Sequence, residues 1–227
     1  VIQLMRQYGL KGTFNLNAGL LGTRGEVKGL GTFSFQDCPE GVKHKWPFSY
    51  VQHNRIPQDE VCQVYDGMER ATHGFRHEPL GVVSEDEMRA SVDADKAALE
   101  KIFGTTVVGH AYAQGSTSPA VQAYLKAQGY QYARVVFPSG GFAFPENPMN
   151  FRPSSSLILK NAAKLVERFK CEEPGEKDLL LFLWAHSYEM DYDKGNASWY
   201  ALERLFESLA GRNDIVYCTN SEAFAHI

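Results

Sequence analysis

The feature that most constrains the fold of this chain is a regular alternation of β-type runs with amphipathic helical segments. The clearest helix covers residues 84–104, "SEDEMRASVDADKAALEKIFG", in which Ser84 and Glu87 form a capping box and Gly104 ends the helix. The strand-like run "TTVVGHAYA" follows directly. Alternation of this kind predicts an α/β fold with a parallel sheet covered by helices, either open or closed into a barrel.

Length and charge narrow the class of protein further. The 227 residues suit one α/β domain, so we expect a single domain over residues 1–227. The net charge of −4, without a basic block, argues against a nucleic acid or an anionic membrane as partner. The longest apolar run, "LLLFLWA" at 179–185, is too short to span a bilayer and predicts a buried strand. The first helical segment begins at Val1 without a capping residue, so we expect further residues upstream.

Polar side chains follow several of these strands at the point where each strand ends. His73 and His77 come after "MERAT", Gln114 follows "TTVVGHAYA", and His186 follows "LLLFLWA". Because the carboxyl ends of parallel strands lie at one edge of a sheet, we expect these groups to converge there.

The two histidines four residues apart admit two interpretations. In a helical or tightly turned segment, His73 and His77 would lie on one side and form half of a zinc site. Otherwise they are surface histidines that flank an aromatic residue. Glu69, in the preceding strand, either supports the ligands or is a surface charge, as we expect for Asp66.

His186 also admits two interpretations. It is either a buried core histidine or a group that gives a proton to a leaving group at the mouth of the sheet. Glu189 and Asp191 would orient it in the second case, and would form a solvated acidic loop in the first.

Four segments together resemble a known family. They are "YGLKGTFNLNAGLLG", "MERATHGFRHEPLGVVSEDEMRASVDADKAALEKIFG", "VVGHAYAQGSTSPAVQAYLKAQGYQYARVV" and "LLLFLWAHSYEMD", in this order over about residues 5–225, with an inserted loop near residues 25–57. The chain resembles the polysaccharide deacetylases with the NodB-homology domain, also called carbohydrate esterase family four. The resemblance implies a distorted barrel of about seven β/α units.

The resemblance also implies an activity and a cofactor. It implies a hydrolase that removes N- or O-linked acetyl groups from a carbohydrate substrate with water activated by a divalent metal, most often zinc. It places His73 and His77 on the metal histidines and His186 on the general acid.

Further positions follow from the same comparison. The backbone at Tyr112 and Ala113 falls where the oxyanion is held, and Arg152 matches an arginine that orients the catalytic base. Trp184 and Tyr188, on either side of His186, are expected to contact the substrate.

The chain departs from the family pattern in two places. Ala113 stands where the family usually has proline, and the first motif, Thr-Phe-Asp-Asp-Gly, does not occur in the sequence. That motif supplies the base and the third metal ligand in the family. We expect it upstream of Val1, so that the chain is N-terminally incomplete and its barrel lacks a first strand. The alternatives are supply by a separate chain, loss of the motif, and substitution of the ligand by Asp191 or Asp193.

An inactive relative that binds glycan is the alternative function. Its sugar rings would stack on aromatic residues of the long loops, which otherwise simply pack on the barrel. These aromatic residues are Trp46, Phe48, Tyr50, Phe142 and Phe144.

Overall fold

The structure, a computed structural model, describes residues 1–28 and 50–225. Fifteen helices and strands follow one another in these ranges. They are α1 (Ile2–Gln7), β1 (Thr13–Leu16), β2 (Glu26–Lys28), β3 (Tyr50–Gln52), α2 (Val61–Val64), β4 (Glu69–Thr72), α3 (Glu85–Phe103), β5 (Gly109–Ala111), α4 (Pro119–Ala127), β6 (Tyr132–Arg134), β7 (Ser155–Ser156), α5 (Ala162–Cys171), β8 (Leu183–Trp184), α6 (Trp199–Leu209) and α7 (Asn220–Phe224).

The main sheet is parallel, as the alternation predicted. Its strand order is β1-β4-β5-β6, with Leu16 opposite Thr72, Thr72 opposite His110 and Ala111 opposite Arg134. Arg134 bridges to Phe151 in the same direction, and β7 and β8 form a further parallel pair. The carboxyl ends of the successive strands therefore lie along one edge.

The helix of residues 84–104 forms where the sequence predicted it. The Ser84 and Glu87 capping box is present, and Gly104 adopts a left-handed φ of 66° that ends the helix. Its apolar stripe divides between two clusters of the core: Met88 and Val92 pack with residues of β6 and α4, and Leu99 packs with Leu16. The other predicted helices and most strands are also present, with shorter strands than the apolar runs suggested.

Closure into a barrel does not occur among the described residues. A cavity of about 1980 Å³ lies between β1 on one side and residues 178–188 and 214–220 on the other. Of the apolar run 179–185 only Leu183–Trp184 is a strand, and residues 214–219, "DIVYCT", for which the sequence also predicts a strand, do not form one. Both segments line the cavity, and the described chain offers no neighbouring strand to the second of them. The run "TFSFQ" at 32–36, for which the sequence predicts one short strand, lies outside the described residues.

A small antiparallel pair, β2 with β3, stands apart from the main sheet. Backbone hydrogen bonds extend it, from His53 to Gly25 and from Arg55 to Thr23. We call residues 22–28 and 50–56 the arm. None of the helices in the described ranges has the length and apolar character that a bilayer-crossing segment requires.

Candidate active site

His73 and His77 lie side by side at the carboxyl end of β4. Their ring centroids are 4.8 Å apart, with the planes at 75° to one another. Nδ1 of His73 lies 2.6 Å from the carbonyl oxygen of Ala111, which can accept a hydrogen bond only if Nδ1 carries the proton. The lone pair of His73 is therefore on Nε2. A backbone carbonyl that fixes the tautomer in this way is the usual support of a metal-binding histidine.

The chain reaches His77 through a tight turn. The N–H of His77 donates to the carbonyl of Gly74, and His77 itself has a φ of 68°. A left-handed backbone costs a residue other than glycine about 1 kcal/mol or more. A strained backbone at this position is consistent with a turn whose role is to place the His77 imidazole beside His73.

Two buried residues hold the backbone of this turn. The carboxylate of Asp95, on α3, accepts hydrogen bonds from the N–H groups of His73 at 2.9 Å and Ala18 at 2.8 Å. The amide of Asn17 donates to the carbonyls of His73 and Gly74. Neither residue was predicted from the sequence, although a carboxylate in the apolar stripe of α3 was a visible signal.

Burial disfavours the charged form of His73 and of His77. Burial, with the nearby charges of His77 and Arg134, lowers the pKa of His73 well below its ordinary value. Burial and the charge of His186 lower the pKa of His77. Neutral imidazoles are the form that binds metal. The described part of the chain contains no group of three or more His, Cys, Asp or Glu side chains arranged to hold a metal ion.

His186 follows β8, and its ring belongs to a row of aromatic side chains. The ring stacks on Tyr188 with centroids 5.0 Å apart and meets the edge of Trp184 at 5.4 Å. Nδ1 of the His186 ring is 3.1 Å from Oε1 of Glu189, without the alignment of a hydrogen bond. The backbone N–H of His186 donates to Oε2 of the same carboxylate.

The acidic residues that follow His186 thus have different surroundings. Glu189 is buried against His186, whereas the carboxylate of Asp191 accepts a hydrogen bond from Nε1 of Trp199 at 2.7 Å. Asp191 and Asp193 are both exposed. The structure therefore brings Glu189, and not Asp191, to the histidine.

The arm covers this row of rings. His53 lies 4.4 Å from Tyr188 by ring centroids. Burial, with the charges of Arg55, His186 and His77, lowers the pKa of His53 to about 4. His53 and Arg55 belong to the inserted loop of the sequence, which had no matching family segment and so gave no signal of a site.

Arg134 lies at this edge, whereas Arg152 does not. Arg152 is exposed, and its Nη2 donates to the carbonyl of Pro138 at 2.7 Å. Arg134, the last residue of β6, is buried, lines the cavity with His73 and stands 4.8 Å from the Trp184 ring centroid. Its Nε and Nη1 have no hydrogen-bond partner among the described residues, and burial lowers its pKa to about 10. The position of Arg152 does not fit the role that the resemblance assigned to it.

The backbone at Tyr112 is only partly available to an oxyanion. The Tyr112 N–H donates to the carbonyl of Arg134, and its buried hydroxyl donates to the carbonyl of Met149 at 2.7 Å. The N–H groups of Ala113 and Gln114 form no hydrogen bond with the described residues. Those two groups, and not that of Tyr112, are the free donors at the end of β5.

Other residues lie away from the histidines. The carboxylate of Glu69 accepts hydrogen bonds from Thr13, Tyr132 and Ser221 at the opposite end of the sheet, so it does not support the metal histidines. Asp66 is exposed, as expected. Phe142 is buried against Phe169, whereas Phe144 lines the cavity. Trp46, Phe48 and the side chain of Tyr50 lie outside the described residues.

Solved structures of similar fold come from several bacteria. A Mycobacterium smegmatis protein assigned to the polysaccharide deacetylases has a TM-score of 0.60 at 16% identity, covering 100% of this chain and 74% of that one. The Streptococcus pyogenes deacetylase PplD, solved with acetate, has a TM-score of 0.53 at 15% identity over 75% of this chain and 62% of that one. These likenesses show the fold.

The chain spans only part of some relatives. It is 24% identical to the Bacillus cereus polysaccharide deacetylase BC0361 over 44% of its own length and 32% of that protein, with a TM-score of 0.38. No curated protein matches the chain. The profile of the polysaccharide deacetylase family matches residues 1–133, which is more than half of the sequence and includes both His73 and His77. The chain belongs to the polysaccharide deacetylase family.

Proposed function

We propose that this protein is a metal-dependent hydrolase that removes acetyl groups from a carbohydrate. The observation that carries the proposal is the His73 and His77 pair, with the tautomer of His73 fixed by the Ala111 carbonyl, at the edge of the sheet where His186 also lies. Membership of the family supports the reaction class.

The donor set fits a zinc ion in part. Two neutral imidazoles, one with a backbone carbonyl behind it, are ligands that zinc prefers. When bound, a zinc ion supplies Lewis acidity that polarises a carbonyl and makes water a stronger acid. The described residues supply two such ligands, so a third has to be a carboxylate from elsewhere.

Unpartnered polar atoms indicate where this carboxylate would enter. Two guanidinium nitrogens of Arg134, Nε and Nη1, are buried and lack hydrogen-bond partners among the described residues, and Arg134 lines the cavity. A buried guanidinium without an anion is costly, and a carboxylate matches its geometry. Arg134 would thus orient the carboxylate that takes the proton from water.

The remaining groups suit the other steps of acetyl transfer to water. The free N–H groups of Ala113 and Gln114 would stabilise the negative charge that develops on the acetyl oxygen. His186, with 38% of its side chain exposed and Glu189 beside it, would give a proton to the departing sugar oxygen or nitrogen. Trp184 and Tyr188 flank His186 and would contact the sugar.

Zinc binding and acetate release test the proposal. We expect the protein to bind zinc and to release acetate from acetylated xylan or chitin oligosaccharides. The variant His77→Gln would lose both properties, whereas Lys126→Gln, an exposed position on α4, would keep both. Absence of zinc binding together with absence of acetate release would overturn the proposal.

Glycan binding without catalysis is the second candidate. It is favoured by one observation, that the described residues supply two metal ligands rather than three. Binding of the oligosaccharides without acetate release, in the presence of zinc, would support this function over the first.

A further inference from the structure

The arginines of this chain divide into two groups by their partners. Seven of the eleven donate hydrogen bonds to a carboxylate or a backbone carbonyl, namely Arg6, Arg70, Arg89, Arg152, Arg168, Arg204 and Arg212. The other four have no such acceptor among the described residues, and all four line the cavity beside the histidines: Arg24, Arg55, Arg76 and Arg134. The same cavity is also lined by Arg6 and Arg212, so the arginines that lack such an acceptor are four of the six arginines along it.

Among the arginines at the opening of the cavity, which we call the mouth, Arg55 has the most restricted side chain. It is partly buried on the arm, and one hydrogen bond, from Nη1 to the Thr23 hydroxyl at 3.2 Å, holds its guanidinium. It is close enough to His77 and Tyr188 for its charge to affect the pKa of each. Arg24, which follows Thr23 in the chain, and Arg76, which precedes His77, are both exposed and line the same cavity.

The carboxylates near this edge are occupied by other donors. Oε2 of Glu78 accepts hydrogen bonds from the Arg76 N–H and the Ser91 hydroxyl, and Glu189 accepts from the His186 N–H. Neither carboxylate forms an ion pair with the guanidinium of Arg24, Arg55 or Arg76 among the described residues. These guanidinium groups therefore remain able to bind an anion.

We propose that the acetylated carbohydrate is acidic, with sugar carboxylates close to the acetyl group, and that Arg55 binds one of them with help from Arg24 and Arg76. The inference rests on the proposed function and names its substrate class. A guanidinium binds a carboxylate through two parallel hydrogen bonds, and partial burial strengthens that contact. Arg134 lies deeper, against Trp184, and remains assigned to the catalytic carboxylate.

Paired oligosaccharides of equal length test the charge requirement. We would titrate the protein with tetragalacturonate and with xylotetraose at low salt, and measure binding by calorimetry. We expect tetragalacturonate to bind at least about tenfold more tightly, because a hydrogen bond to a charged group contributes about a factor of ten or more. The preference would fall at high salt because of screening.

Variants assign that preference to Arg55. Arg55→Gln would reduce it about tenfold, whereas Arg204→Gln, which removes an exposed arginine paired with Glu207, would leave it unchanged. Equal binding of the two oligosaccharides, or a preference that Arg55→Gln does not reduce, would overturn the inference.

Acetate release from the O-acetylated forms of both oligosaccharides separates the two proposals. Arg55-dependent binding of the acidic sugar without acetate release would retain the acidic ligand and reject the hydrolase. Acetate release at equal rates from both sugars, with equal binding, would retain the hydrolase and reject the acidic substrate.

Discussion

The carboxylate of Asp95 accepts a hydrogen bond of 2.9 Å from the backbone N–H of His73. Its other oxygen accepts from the N–H of Ala18, just after β1, at 2.8 Å. One side chain near the middle of α3 thus fixes the ends of two neighbouring strands relative to each other. The position of the His73 side chain therefore depends on Asp95, which is 22 residues away in the chain and binds the backbone N–H of His73.

Removal of this carboxylate should cost both stability and metal affinity. In Asp95→Ala two buried N–H groups lose their acceptor, and each loss costs about 1–3 kcal/mol. We expect the free energy of unfolding to fall by about 2–5 kcal/mol, measured by urea denaturation. Zinc affinity, measured by competition with a chelating dye, should fall at least about tenfold, as for other residues that support ligands.

Asp93→Ala is the matched control on the same helix. Asp93 is exposed, and its carboxylate accepts a hydrogen bond from the Tyr124 hydroxyl at 2.8 Å. Its replacement should change stability by no more than about 1 kcal/mol and leave zinc affinity intact. Equal losses in the two variants would show that Asp95 has no special part in holding the His73 turn.

Local periodicity was sufficient to predict the parallel sheet and the edge at which His73, His77 and His186 meet. It failed where the structure depends on a distant neighbour. Residues 215–218 have an apolar strand pattern, yet a strand needs a partner, and the described chain provides none beside them. Two site residues, Asp95 and Arg134, were visible only as charges inside apolar patterns, which do not reveal what the charge contacts.

Glycine at position 77 should relieve backbone strain while it removes a ligand. His77 has a φ of 68°, a conformation that glycine adopts without steric cost. We expect the free energy of unfolding of His77→Gly, measured without metal, to equal that of the original protein or to exceed it by up to about 1 kcal/mol. Stabilisation by added zinc should disappear. A loss of more than 1 kcal/mol in the metal-free protein would mean that the imidazole itself holds the turn together.

His110 should make the protein sensitive to acid. Burial and the charge of Arg134 lower its pKa to about 3, and its Nε2 has no partner among the described residues. In the unfolded chain its pKa is about 6.5. Between these values the unfolded state binds a proton that the folded state does not, so stability is complete above pH 6.5 and decreases as the pH falls.

The slope of stability against pH tests this contribution. Urea denaturation at several values between pH 7.5 and 4.5 should give a loss of up to about 1.4 kcal/mol per pH unit from this histidine. In His110→Gln the slope below pH 6.5 should be smaller by nearly one proton, and the remaining slope comes from the other histidines with lowered pKa values. Superimposable slopes for the two proteins would contradict the assignment.

Arg134 should be required for activity. The residue is 6% exposed, and Nε and Nη1 lack acceptors in the described ranges, which leaves both nitrogens for the proposed catalytic carboxylate. Arg134→Met keeps most of the volume and removes the charge. We expect acetate release to fall at least a hundredfold, because the carboxylate loses the guanidinium that orients it.

Arg134→Lys separates charge from size. Lysine keeps a positive charge in the same buried place but cannot bind a carboxylate through two parallel hydrogen bonds. This variant should lose most of the activity. If Arg134→Lys released acetate as fast as the original protein, the assignment of the Arg134 guanidinium to a catalytic carboxylate would fail.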